Sequence, residues 1–226
     1  GYGLCILLLA TLASLSFAQS RNYRDNETCF RAVLARNPQS ATAHNNLANT
    51  LRKKGALDEA IVHYRRALVV DPDYEFGRFN LGSALAERGE IPEAIGWLKA
   101  ALTTDPNNAN AYYTLANALA RQNNRSDAIA YYGRALRLAP DFPDAHTNLA
   151  NLLLETGNSA GALEHYREAL RLEPNNPQAH YNLAVGFVRA GQNDAAIPEL
   201  RAALQLDPKY PDAEPLLNDL LSRSRR

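Results

Sequence analysis

The sequence predicts an all-α fold, a right-handed superhelix of stacked helix pairs in which five full repeats lie between a half repeat and a capping helix. Three observations predict it. The tetrapeptide Asn46-Leu47-Ala48-Asn49 recurs, lightly varied, every 34 residues as far as Asn182-Leu183-Ala184-Val185. Leucines and small residues fall at helical spacing within every unit, and a proline closes each one: Pro72, Pro106, Pro140, Pro174 and Pro208. A fixed period of roughly 20–50 residues marks supersecondary units that bury a continuous core only by stacking on one another.

Taken in order, residues 1–20 form a hydrophobic membrane or export segment without a charge, carrying Leu4, Ile6, Leu7, Leu8, Leu9, Leu12, Leu15 and Phe17. The absence of Met and of a preceding basic residue favours the tail end of a transmembrane helix within a longer gene product. Ser16-Phe17-Ala18 would suit signal-peptide cleavage, and a plain buried helix is the third reading. Residues 21–40 are a juxtamembrane half repeat, one helix with Phe30, Val33 and Leu34 on its apolar face and Pro38 as its stop.

Five full repeats follow, 41–74, 75–108, 109–142, 143–176 and 177–210. Position seven is always Leu (Leu47, Leu81, Leu115, Leu149, Leu183) and position eight always small (Ala48, Gly82, Ala116, Ala150, Ala184). Positions four, seven, eight and eleven lie on one face of a first helix, so that stripe is buried. Position fifteen is Gly55, Gly89, Asn123, Gly157 and Gly191, the residues that tolerate a left-handed helix end. The second helix buries alanines at positions twenty and twenty-seven, which allow close approach, with a leucine beside the latter. Proline then ends the unit. Pro198, inside the last second helix, is expected to kink or shorten it. Residues 211–226 read as a capping helix, with Leu217, Leu220 and Leu221 apolar, that dissolves into the basic tail Ser222-Arg223-Ser224-Arg225-Arg226.

The totals exclude several functions. Of 226 residues, 24 are basic and 24 acidic, which argues against nucleic acid as a partner. Cys5 and Cys29 make neither a disulfide framework nor a metal site. No Ser, Cys or paired carboxylate stands at a catalytic spacing, so neither an active site nor a cofactor is expected of this chain. His44, His146 and His180 share position four and read as packing substitutes on separate helices, without the convergence a metal needs. His63 and His165 lie on second helices beside tyrosines.

These residues resemble the tetratricopeptide repeat over 41–210 and both partial units: Leu at seven, a small residue at eight, Gly near fifteen, Ala at twenty, Tyr at twenty-four (Tyr64, Tyr132, Tyr166), Ala at twenty-seven and Pro at thirty-two. The family's aromatic at position four is met by Tyr112 alone, with His44, Arg78, His146 and His180 elsewhere, a departure expected to loosen the packing. Units such as His44 to Asn49 and His146 to Asn151 are similar to the repeats of the O-linked N-acetylglucosamine transferase, where asparagines at position six hold a peptide backbone. By register that implies Asn46, Asn80, Asn148 and Asn182, with Thr114 interrupting the row. Tyr23, Asp25, Glu27, Phe30, Arg31, Leu34, Asn37 and Pro38 resemble the junction of membrane O-mannosyltransferase-type proteins that carry a C-terminal repeat array. That implies a catalytic part upstream and an extracytoplasmic array, although Arg21 and Arg24 beside the apolar run argue for the cytoplasmic side.

The expected function is a scaffold that binds extended protein or peptide segments in the concave groove of the family. Positions five, six and nine face it, and the candidate site is Asn46, Asn49, Asn80, Asn117, Asn148, Asn151, Asn182, Tyr113, Tyr181, Arg52 and Lys53. Carboxamides donate and accept, matching an extended backbone, and aromatic rings add contact area. The same asparagines also fit a structural ladder between helices. Arg52 and Lys53 make the N-terminal groove basic, while Leu154, Val185 and Val188 make the C-terminal one apolar. A clamp on a partner's terminal carboxylate is disfavoured, because Asn45, Tyr113 and Asn117 occupy the places that basic residues would take. Self-association through the edges of the array, giving a homo-oligomer, is the remaining reading.

Overall fold

A computed structural model describes residues 26–224, and the apolar segment 1–20, with the membrane or export reading placed on it, lies outside them. So do Arg21, Tyr23 and Arg24 of the junction, and Arg225 and Arg226. Among the described residues no helix is long and apolar enough to cross a membrane. Those residues form twelve α-helices and no strand.

Two compact units divide the chain, residues 1–104 and 105–226. In the first, α1 (Asn26–Arg36) precedes the pairs α2 (Ala41–Lys53) with α3 (Leu57–Val70) and α4 (Gly77–Arg88) with α5 (Ile91–Thr104). In the second lie three pairs, α6 (Ala109–Arg121) with α7 (Arg125–Leu138), α8 (Pro143–Glu155) with α9 (Ser159–Leu172), and α10 (Pro177–Arg189) with α11 (Asn193–Leu206), closed by α12 (Ala213–Ser224).

Each pair turns on the same local device. Gly55, Gly89, Asn123, Gly157 and Gly191 have φ of 82, 94, 65, 84 and 74°. This left-handed residue lets the following amide reach back to the carbonyl five residues earlier, as in Ala56 to Leu51 and Asn158 to Leu153. Starts are capped by side chains where the chain offers them, Ser40 for α2 and Asn108, Asn124, Asn158 and Asn176 for α6, α7, α9 and α10.

Within each pair positions seven and eight of the predicted stripe are buried, while Arg78, His180 and Leu153 at positions four and eleven are half-buried. Leu47, Leu81 and Leu115 are fully enclosed, as are Ala60, Ala94 and Ala128 opposite them. The helices approach closely at Gly82, where an added Cβ would stand 2.8 Å from Leu98 Cγ. The first unit's core joins Leu47, Leu51, Ile61, Tyr64, Leu81 and Leu85. A core in the second joins Tyr166, Leu183, Phe187 and Leu200, and α12 adds Ala213 and Leu220 to it.

Two expectations are corrected. Pro198 does not shorten α11, which runs its full 14 residues with the proline on an exposed face. Ser222, Arg223 and Ser224 do not leave the helix: α12 includes them, and Arg223 pairs with Asp219 at 2.8 Å.

Candidate functional site

The groove residues are set by the first helices and held by the second ones. In the second unit Asn117 on α6 and Asn148 and Asn151 on α8 line one hollow of about 480 Å³ with Arg121, Tyr132 and Glu155. Asn148 Nδ2 donates at 3.1 Å both to Asn117 Oδ1 and to Tyr113 Oη. The Tyr132 hydroxyl also donates to Asn117 Oδ1, and that of Tyr166 donates to Asn151 Oδ1. Four sequence-predicted or neighbouring residues, Tyr113, Asn117, Tyr132 and Asn148, thus form one network. Tyr113 further packs on Phe142 with ring centroids 4.6 Å apart.

Repeat five does not join that network. Asn182 Oδ1 accepts from Gln178 Nε2 at 2.8 Å, and Tyr181 stacks on Tyr210, whose hydroxyl donates to Gln178. Leu154 and Val188 pack partly against the core, so the apolar groove wall predicted there is in part interior.

In the first unit Asn46, Asn49 and Lys53 line a second hollow with Asn26, Phe30, Thr50 and Lys54. Tyr64 donates to Asn49 Oδ1 at 2.6 Å. Asn80 Nδ2 is turned toward the buried Asn45, 2.8 Å away. The basic groove end is weaker than the sequence implied, because Glu87 meets Arg52 at 2.7 Å and Glu27 meets Lys54 at 2.8 Å. Lys53 remains exposed.

The tyrosines at position twenty-four, named from the sequence only as part of the family resemblance, hydrogen-bond to the candidate asparagines. Burial raises the hydroxyls of Tyr64 and Tyr132 above their ordinary 10.0 and brings that of Tyr166 to about 12, so each stays a donor at neutral pH. Their signal was present in the chain. Asn stands at position nine only in the three repeats with Tyr at twenty-four. Repeats two and five pair Ser83 with Leu98 and Val185 with Leu200. Ser83 Oγ is correspondingly buried without a hydrogen-bond partner.

Position four also differs from expectation. His44 Nε2, Arg78 Nη2, His146 Nε2 and His180 Nε2 lie 3.1, 2.9, 3.0 and 3.2 Å from the carbonyls of Pro38, Pro72, Pro140 and Pro174. The polar substitutes fasten their first helices to the preceding proline turns by hydrogen bonds not anticipated from the sequence. His44 and His146 also meet His63 and His165, a pairing that the spacing did not reveal. Among the described residues no three His, Cys, Asp or Glu side chains are grouped as metal ligands.

Buried small-residue seams, left-handed turns after each first helix and an asparagine-lined face define a helical-repeat protein, and the comparisons give its family. Tetratricopeptide repeat family models match residues 41–74, 82–123, 113–177 and 147–211. The chain belongs to the tetratricopeptide repeat (TPR) family. No curated protein matches the sequence. Among solved structures it is similar to the MamA protein at 27% identity and TM-score 0.67, over 75% of this chain and 92% of that one. MamA from Desulfovibrio magneticus RS-1 shares the fold at 19% identity and TM-score 0.70, over 76% and 97%. So does YrrB, described as a TPR protein with an unusual peptide-binding site, at 22% identity and TM-score 0.68, over 87% and 98%.

Proposed function

We propose that this protein is an interaction scaffold whose asparagine-lined groove binds an extended peptide segment. The observation that carries this reading is the Tyr132–Asn117–Asn148 network. The carboxamide oxygen of Asn117 is occupied by two donors, so its Nδ2 is the group proposed to meet a ligand carbonyl. Asn148 spends its Nδ2 on Asn117 and Tyr113, so its Oδ1 is the group proposed to meet a ligand amide. A peptide in extended form offers a carbonyl and an amide at each residue, the complement of that donor and acceptor. Both groups are fixed in advance by buried tyrosines, which lowers the ordering cost of binding. The peptide-binding site described for YrrB supports this class of partner, though at that identity the likeness itself carries the fold alone.

The first unit offers a second, more basic stretch, where Lys53 stands beside Asn46 and Asn49 and suits a segment with a carboxylate. In this proposal the apolar residues 1–20 tether the scaffold to a membrane, and the array serves as the partner-binding part of a longer protein. Phage-displayed random peptides selected on the full chain provide the test. Selected peptides should lose about tenfold in affinity when Asn117 and Asn148 are both changed to Ala, since the two together lose hydrogen bonding of about 1.4 kcal/mol. Unchanged affinity at unchanged helicity would remove the groove assignment.

A further inference from the structure

The two histidine pairs share one geometry in separate units. His44 Nε2 faces the Pro38 carbonyl, which only accepts, so that nitrogen carries the proton. His44 Nδ1 is then a bare acceptor, and His63 Nδ1, 2.9 Å away, must be the donor. His146 and His165 repeat this arrangement at 2.9 Å, with His146 Nε2 on the Pro140 carbonyl. Four neutral rings in fixed tautomers therefore bridge α2 to α3 and α8 to α9.

We propose that these pairs are pH-responsive clasps, each tying the first helix of its repeat to the second at neutral pH and releasing on acidification. One added proton leaves a single hydrogen between the two Nδ1 atoms, so the bond survives; His63 Nε2 lies 3.9 Å from Glu59 Oε1. A proton on both rings sets two N–H groups and two positive rings against each other. Charged groups act on His63 and His165 from the helices on either side. Arg31 of α1 and His44 of α2 oppose a charge on His63, and Glu59 of α3 favours it. In repeat four His146 of α8 opposes a charge on His165, and Glu164 and Glu168 of α9 favour it, although Arg171 also engages Glu168. Burial is the largest influence on His63 and His165 and keeps both rings below their ordinary 6.5.

The same seam elsewhere in the chain supplies controls. Repeat three has Tyr112 stacked on Tyr131 at the same two positions, with centroids 6.0 Å apart and no imidazole in the seam. Repeat five has His180 between the Pro174 carbonyl and Glu199 Oε2 at 2.7 Å, so both ring nitrogens face acceptors and the imidazolium satisfies them. Acid would release the clasps of repeats one and four and preserve this one.

Two measurements on the full chain test the proposal. Ring-nitrogen NMR at about pH 7.5 should show His44 and His146 protonated on Nε2 and His63 and His165 on Nδ1, with the pattern lost toward about pH 5. The urea midpoint should fall over the same range, and should fall less when all four histidines are replaced by tyrosine, the pair that repeat three already uses. Other tautomers, or an equal fall in the tyrosine variant, would overturn the clasp. Should that variant not fold, the ring spectra of the unmodified chain decide alone.

Discussion

Asn49, Asn117 and Asn151 combine a structural role with the proposed one. Each accepts the tyrosine hydroxyl of its own repeat on its carboxamide oxygen, which bolts the helix pair and, in the proposed function, leaves the amide for a ligand. Tyr132→Phe should therefore cost about 1 kcal/mol of stability through the lost hydrogen bond, measured by urea unfolding. It should also weaken peptide binding without removing a groove atom. This part of the site was half legible. Spacing placed the asparagines on one face, but whether a carboxamide is free or engaged depends on the residue fifteen positions later on another helix. Likewise Arg52 reads as a free cation until Glu87, one repeat on, is seen beside it. Long-range pairing of polar groups leaves no periodic trace.

At the level of the helix, the period carried nearly everything. Buried leucines, close alanines and left-handed residues at position fifteen are each dictated by the backbone that they serve, and each sits where the spacing put it. Gly82 is a close contact of this kind, and Gly82→Ala should destabilise by about 1–3 kcal/mol, because Leu98 Cγ stands in the way and must shift. Pro198 is the opposite case. Its exposed ring interrupts the hydrogen bonding of α11, so Pro198→Ala should restore an amide donor to the Asp194 carbonyl and raise the thermal midpoint, a gain on the order of 1–3 kcal/mol. A midpoint unchanged by that substitution would show that the helix already accommodates the ring. Propensity alone predicted a kink there. Packing by Ala196, Leu200 and Ala203, all fully buried, keeps the helix intact.

Over the whole molecule, stability should depend on pH with a definite sign. His63 and His165 titrate lower when folded than their ordinary 6.5. The unfolded chain then binds protons first, so their contribution is complete above about pH 6.5 and is lost as pH falls through the depressed folded values. Unfolding followed from neutral to mildly acidic pH should show that decline. The balanced charge, 24 basic against 24 acidic, gives no net charge to draw in a partner, and the proposed recognition rests on the carboxamides and rings of the groove. Peptide affinity for the Asn117→Ala, Asn148→Ala double variant is the most direct test of that placement. A loss of about tenfold with unchanged helicity is predicted; affinity equal to that of the unmodified chain would contradict it.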